Sequence, residues 1–238
     1  MRHIHEKRLS LVIPAHNSEH VLEKSIMEYI EIFSDFLDDF EIIIVCNGCI
    51  DGTAEIAKNL AQIYPMQVIE IIEKGKGKAL SEGFKRARFE IIGFLDVDNP
   101  FSSERIKDMI YSLDNCDIAI ATKYLKGSMK GKKGVKDSQL RRIVALGGQL
   151  ISYLLFNLKF RDTQAGAKFF KKNVWHSINK KTICTGFDFD IEFLYKAQKK
   201  NFKIGEFYTP LVKYEEFSTV RIKYLPGMLW RLIKLRFF

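Results

Sequence analysis

The chain of 238 residues is 47% hydrophobic, enough for a sizeable core in one domain or one domain with a small appendage, which excludes disordered, collagen-like and disulfide-dense classes. Its 38 basic and 29 acidic side chains leave a formal net charge of +9, so an anionic neighbour is expected: phosphate, nucleic acid or a membrane surface. Four cysteines and no charged-then-apolar leader predict a reducing, cytoplasmic compartment.

Leu9–Pro14 reads as a first strand, followed by a helix capped by Asn17 or Ser18 with Leu22, Ile26, Tyr29, Ile30, Phe33 and Leu37 on one face. Phe40–Cys46 is nearly all aliphatic, as in a strand buried on both sides, and the next helix carries Ile56, Leu60 and Ile63. Met66–Ile72 predicts a third strand, Lys78–Arg88 a third helix and Ile91–Leu95 a fourth strand. A helix over Ser102–Leu113 and a strand over Asp117–Ala121 follow. The alternation predicts an α/β fold: a Rossmann-like, doubly wound, mostly parallel sheet with helices on both faces.

Lys123–Ser138, with three glycines and repeated lysines, reads as a mobile loop, and Lys123 to Arg142 holds eight basic residues against one acidic one. Arg141–Leu158 is a strongly apolar helix, yet its longest apolar stretch, Ile143–Phe156, runs 14 residues and contains Gln149 and Ser152, short of the roughly 20 that span a bilayer. Another helix, Gly186–Gln198, opens on Asp188, Asp190 and Glu192. Segment 218–238 has five basic residues, no acidic ones and many apolar ones. It suits an interfacial helix on an anionic leaflet, or a helix docked on its own domain or a dimer partner. The expected organisation is a domain over 1–217 and a basic amphipathic segment over 218–238.

In an open parallel sheet, ligands bind beyond the carboxyl ends of the strands. Those ends carry Pro14-Ala15-His16-Asn17-Ser18-Glu19, then Asn47 through Thr53 with Asp51, then Gly75-Lys76-Gly77-Lys78, then Asp96-Val97-Asp98. Two carboxylates flanking one residue at the mouth of a buried strand suit Mg2+ or Mn2+, or else form a solvated turn. The glycine-lysine turn offers N–H groups and charge to a phosphate, and a plain basic turn explains it as well. Cys46 and Cys49 form a C-x-x-C, but neither a second cysteine pair nor a histidine pair completes a zinc set.

Together these strand ends resemble the inverting nucleotide-sugar glycosyltransferases of family 2, with a GT-A fold. Leu11 through Glu19 is similar to that family's opening strand and P-A-Y-N-E turn, with His16 in the tyrosine position. Val45 through Thr53 is similar to V-D-D-G-S-x-D-G-T, with Cys46, Asn47 and Cys49 replacing two aspartates and a serine. Phe94-Leu95-Asp96-Val97-Asp98 resembles the D-x-D. Arg161 through Phe170 is similar to the R-D-T-Q-C-G-F-K-L-F segment of dolichyl-phosphate glucosyltransferases, Gly75 through Ala79 to their G-K-G-G-A, and Gly186 through Glu192 to their F-D-V-E helix start. Pro100 stands where mannose-transferring relatives often have glutamine, and Lys123 where relatives have arginine, keeping the charge without the bidentate fork.

The resemblance implies transfer from a nucleotide sugar, UDP-linked in the favoured case or GDP-mannose, to a dolichyl or undecaprenyl phosphate on the cytoplasmic face of a membrane, with self-association left open. It implies Asp96 and Asp98 as ligands of Mg2+ or Mn2+, and Pro14, Ala15, Asn17, Glu19, Asn47, Asp51, Lys76, Asp96 and Lys123 against the donor. Arg141, Arg142 and Gln164 would meet the acceptor. Asp98 and Asp190 would be catalytic, with Asp188 or Asp190 as base if the acceptor were a glycan hydroxyl, or both simply acids favoured by the helix dipole. A nucleic-acid-binding reading lacks a recognised motif with interleaved stacking aromatics.

Overall fold

The computed structural model describes residues 7–98, 101–124, 139–180, 182–209 and 225–237, with backbone alone for 139–146. The first half alternates strand and helix: β1 (Arg8–Ala15), α1 (Leu22–Ser34), β2 (Asp39–Asn47), α2 (Thr53–Ala61), β3 (Met66–Ile71), α3 (Lys76–Arg86), β4 (Ile91–Leu95), α4 (Ser103–Ser112) and β5 (Ile118–Thr122). Then come α5 (Gln139–Phe156), β6 (Ala167–Lys171), α6 (Lys172–Ile178), α7 (Phe189–Lys199), β7 (Ile204–Tyr208) and α8 (Leu225–Phe237).

The strands form one sheet in the order β3-β2-β1-β4-β6-β5-β7. Pairings β1/β2, β1/β4, β2/β3 and β5/β7 are parallel, whereas β6 runs antiparallel between β4 and β5. Successive side chains alternate faces, so Leu9, Leu11 and Ile13 of β1 pack with α1, α2 and α4, while Val12 joins α3, α6 and α7. Phe84 anchors the second face, with ring centroids 5.1 Å from both Phe170 and Trp175 in edge-on contacts.

The doubly wound expectation holds, with differences that have physical causes. Helix α1 starts at Leu22, and neither Asn17 nor Ser18 caps it with a side chain; the Ser18 carbonyl accepts from Val21 and Leu22 N–H instead. Strands β6 and β7 and helix α6 carry little signal in the sequence, because Ala167–Lys171 is short and has two lysines, and Ile204–Tyr208 is a half-buried edge. Helix α8 docks on its own domain: Met228 and Leu232 are buried, Arg231 clamps Asp188, and Arg236 Nε donates to the Leu155 carbonyl at 2.9 Å. The expected division at 217/218, and most of the Lys123–Ser138 loop, lie outside the described residues.

Candidate active site

Sheet order reverses between β1 and β4, so the crevice of an open α/β sheet falls beyond Ala15 and Leu95. Side chains there sew neighbouring loops together. Asn17, at φ +49°, accepts the Ile50 N–H at 2.9 Å, and Glu19 Oε2 accepts the Gly52 N–H at 2.6 Å. Asp51 accepts from the Thr53 hydroxyl at 2.6 Å and from the Glu19 N–H at 3.3 Å. Partial burial raises the Asp51 carboxyl, but these bonds from Thr53 and Glu19 overcome it and hold it below its ordinary value.

Asn47, expected against the donor, bonds the neighbouring loops to one another in this structure. It is buried, its Nδ2 donates to the Ala15 carbonyl at 2.9 Å, and its Oδ1 accepts the Gly75 N–H at 3.1 Å. One side chain thereby ties the ends of β1 and β2 to the turn before α3. His16 lies alongside, with Nδ1 2.8 Å from the Asn47 carbonyl and Nε2 2.5 Å from Lys74 Nζ. Pro14 and Ala15 close β1 just before this stitching.

The centre of the crevice is a line of alternating charges. Lys168, fully buried on β6, donates to Asp190 Oδ1 at 2.7 Å and to the Ala165 carbonyl at 2.9 Å. Asp190 Oδ2 lies 3.9 Å from Lys76 Nζ, which sits 2.7 Å from Asp96 Oδ1. The line runs from the interior outward: the Lys76 side chain is 9% exposed and that of Asp96 35%. Both ammoniums lie over the Phe94 ring, at 5.3 and 5.2 Å from its centroid. Burial disfavours the Lys76 charge, but Asp96 and Asp190 outweigh it and raise the group to about 12, so Lys76 is an ammonium at any physiological pH.

Asp96 is held rigidly. Its N–H donates to the Gly166 carbonyl at 3.0 Å, and its own carbonyl accepts the Tyr29 hydroxyl at 2.5 Å. A Cβ on Gly166 would lie 2.1 Å from Asp96 Oδ2, so a glycine is required where this loop crosses the carboxylate. Asp98 stands exposed two residues on, and its charge adds to the field on Lys76.

The three acids opening α7 serve separate partners. Asp188, fully buried, accepts Arg231 Nε at 2.6 Å and Nη2 at 3.1 Å. Glu192 accepts the N–H groups of Ile183 and Cys184. Asp190, expected as a base only if the acceptor is a glycan hydroxyl, is 1% exposed and paired with Lys168, the lysine of the Arg161–Phe170 segment. Gln164 is exposed and donates to the Phe187 carbonyl at 3.2 Å. Lys123 lies at the end of β5, its Nζ 5.8 Å from the Tyr124 ring centroid. Arg141 and Arg142 belong to α5, their side chains outside the described residues. The Cys46 thiol is pushed up to about 12, by burial first and then by Cys49, which leaves it protonated and unsuited to metal or redox chemistry.

Among the described residues no group of three histidine, cysteine or acidic side chains could hold a metal by itself, so a divalent ion at Asp96 and Asp98 would have to bring further oxygen ligands. Phosphates and water would have to complete such a shell.

Comparison with known proteins agrees with this geometry. The family described as "Glycosyl transferase family 2" matches residues 10–178. The chain is 24% identical over 251 aligned residues to a dolichyl-phosphate beta-glucosyltransferase of Dictyostelium discoideum, covering 94% of this chain and 76% of that protein. It is 28% identical over 208 residues to glycosyltransferase AglD of Haloferax volcanii, covering 84% of this chain and 32% of that longer protein. The fold is similar to that of glucosyl-3-phosphoglycerate synthase from Mycobacterium tuberculosis in complex with Mn2+, uridine diphosphate and glucosyl-3-phosphoglycerate. That likeness has a TM-score of 0.68 at 17% identity and covers 96% of this chain and 78% of the other. The expected GT-A architecture is the one observed.

Proposed function

We propose, from the premise that this chain belongs to glycosyl transferase family 2, that it moves a sugar from a nucleoside diphosphate to a polyprenyl phosphate with inversion. UDP-sugars are the favoured donors and GDP-mannose the alternative. The observation that carries the reading is the line Lys168, Asp190, Lys76, Asp96 at the switch point, which sets two ammoniums and two carboxylates side by side.

Asp96 and Asp98 would hold Mg2+ or Mn2+, which supplies charge stabilisation for the departing diphosphate. Lys76, at the first residue of α3, offers a second positive charge to the same phosphates, and Lys123, just after β5, a further one. Asn17, Glu19, Asn47 and Asp51 fix the shape of the donor wall through the bonds described above. A lipid phosphate is already an anion and needs no strong base to attack. That suits a crevice whose inner carboxylate, Asp190, is occupied by ammonium groups, and the name of the Dictyostelium relative points to the same acceptor class. On this reading Gln164 and the start of α5, with Arg141 and Arg142, face the acceptor.

The α5/α8 face supports a membrane setting. Among the described residues no helix is long and apolar enough to cross a bilayer, yet Leu154 is 68% and Trp230 64% exposed, with Leu150, Tyr153, Leu229 and Phe237 also outward. Residues 147–159 and 225–237 contain no acids and include Lys159, Lys234 and Arg236. That composition suits the surface of an anionic bilayer.

The test is incubation of the full chain with Mn2+, UDP-glucose or GDP-mannose, and polyprenyl phosphate in vesicles. A glycolipid of inverted anomeric configuration is expected, and no lipid product with any nucleotide sugar would overturn the reading. In a flotation assay with anionic vesicles, Trp230→Ser combined with Leu154→Ser is expected to lose roughly tenfold or more in binding, since each removes a large apolar contact.

A further inference from the structure

We infer that Lys76 is a resident substitute for the divalent cation: it occupies Asp96 in the cation-free protein and must give up that carboxylate when a cation enters. This rests on the proposed role of Asp96 and Asp98 as metal ligands, and it goes further by assigning the competitor for their charge.

Four observations carry it. The Lys76 ammonium makes a direct ion pair with Asp96 Oδ1 at 2.7 Å, on the acid that a metal would need. Asp96 is hemmed in on one side by Gly166, where a Cβ would lie 2.1 Å from its Oδ2, and its backbone is held by the Gly166 carbonyl and the Tyr29 hydroxyl. Lys168 is locked by Asp190 and the Ala165 carbonyl, so of the two ammoniums Lys76 is the more readily moved. Asp190 Oδ2 waits 3.9 Å from Lys76 Nζ, an alternative counter-ion already in reach of the flexible side chain.

A dication and an ammonium on the same carboxylate repel strongly at such separations. Cation binding therefore has to work against Lys76 until something else accepts its charge. Asp190 does so in part, and a nucleoside diphosphate does so better, since its phosphate oxygens take the displaced ammonium and ligate the ion as well. The arrangement makes the metal site weak alone and strong with nucleotide.

The experiment is titration of the full-length protein with Mn2+, following the free-ion electron paramagnetic resonance signal, with and without UDP. Without UDP, Lys76→Gln is expected to bind Mn2+ roughly tenfold or more tightly than wild type, because a repulsive charge has gone. UDP should tighten Mn2+ binding markedly in wild type and far less in the variant. Lys76→Arg, which keeps the charge, is expected to retain the weak nucleotide-free binding, and Asp96→Asn to abolish binding in all backgrounds. Unchanged or weaker Mn2+ affinity in Lys76→Gln with an intact thermal transition would overturn the inference, as would wild-type binding that ignores UDP. Should this pattern appear while no glycolipid ever forms, the inference stands and the proposed acceptor falls; should glycolipid form without the pattern, the acceptor stands and the inference falls.

Discussion

The same sheet buries carboxylates at both of its ends, and they are treated differently. At the end where strands begin, Glu41 on β2 accepts the Ser10 hydroxyl at 2.7 Å, Gln67 Nε2 at 2.8 Å, and the N–H and Nε of Arg88 at 2.8 and 2.9 Å. Every donor there belongs to the framework, and the Arg88 side chain spreads its charge into solvent. Where strands finish, Asp190 and Asp96 share two ammoniums in a line that opens outward, and Asp98 stands exposed beyond it. A closed ring of donors makes an acid part of the scaffold. An open row of ions leaves charge that a ligand can reorganise.

Substitutions at the two ends should separate these roles. The largest loss of stability is expected for Lys168→Met, which strips the buried Asp190 of its nearest counter-ion, about 3–5 kcal/mol by urea denaturation. A loss below about 1 kcal/mol would show that Lys76 closes the gap unaided. Glu41→Gln comes next, about 1–3 kcal/mol, because the donors it leaves include one side chain already facing water, and transfer activity should be retained.

Asp117, at the opening of β5, tests the scaffold end by acid. Burial pushes its carboxyl up, but the Lys203 N–H at 2.9 Å and the Lys171 ammonium at 3.1 Å pull it further the other way, below its ordinary value. A depressed folded value means that its stabilisation is complete above the unfolded pKa and disappears as pH falls through the folded one. Asp117→Asn is thus expected to cost about 1 kcal/mol at neutral pH and nothing once pH drops well below about 3 in matched denaturation curves. Asp96→Asn is expected to cost about 1 kcal/mol, since it takes the nearest counter-ion from the buried Lys76 while Asp190 stays within reach. Its transfer rate should nonetheless fall by about a hundredfold or more in a product assay.

Much of this is legible in the chain, for definite reasons. Aliphatic runs such as Phe40–Cys46 give away β1, β2 and β4 because buried parallel strands need apolar side chains on both faces, and a D-x-D after such a run has few places to lie. Lys168 is hidden because a lysine between alanine and phenylalanine carries no sign of its depth, and its partner Asp190 lies across the fold. With that counter-ion unseen, Asp190 reads as a base. The bonding of Asn47 is equally hidden: an amide can donate and accept at once, and the loops that use its two ends, at Ala15 and Gly75, are distant in the chain.

The reversed strand β6 governs when the crevice can exist at all. Gly166 precedes it and Lys168 rides on it, so the walls around Asp96 and Asp190 arrive only when a late segment inserts between β4 and β5. Until that insertion, a nascent chain has an unpaired β4 edge and a carboxylate facing water. Assembly is therefore expected to be slow in the manner of long-range pairings, with cation-binding competence gained abruptly at the close of folding rather than by degrees.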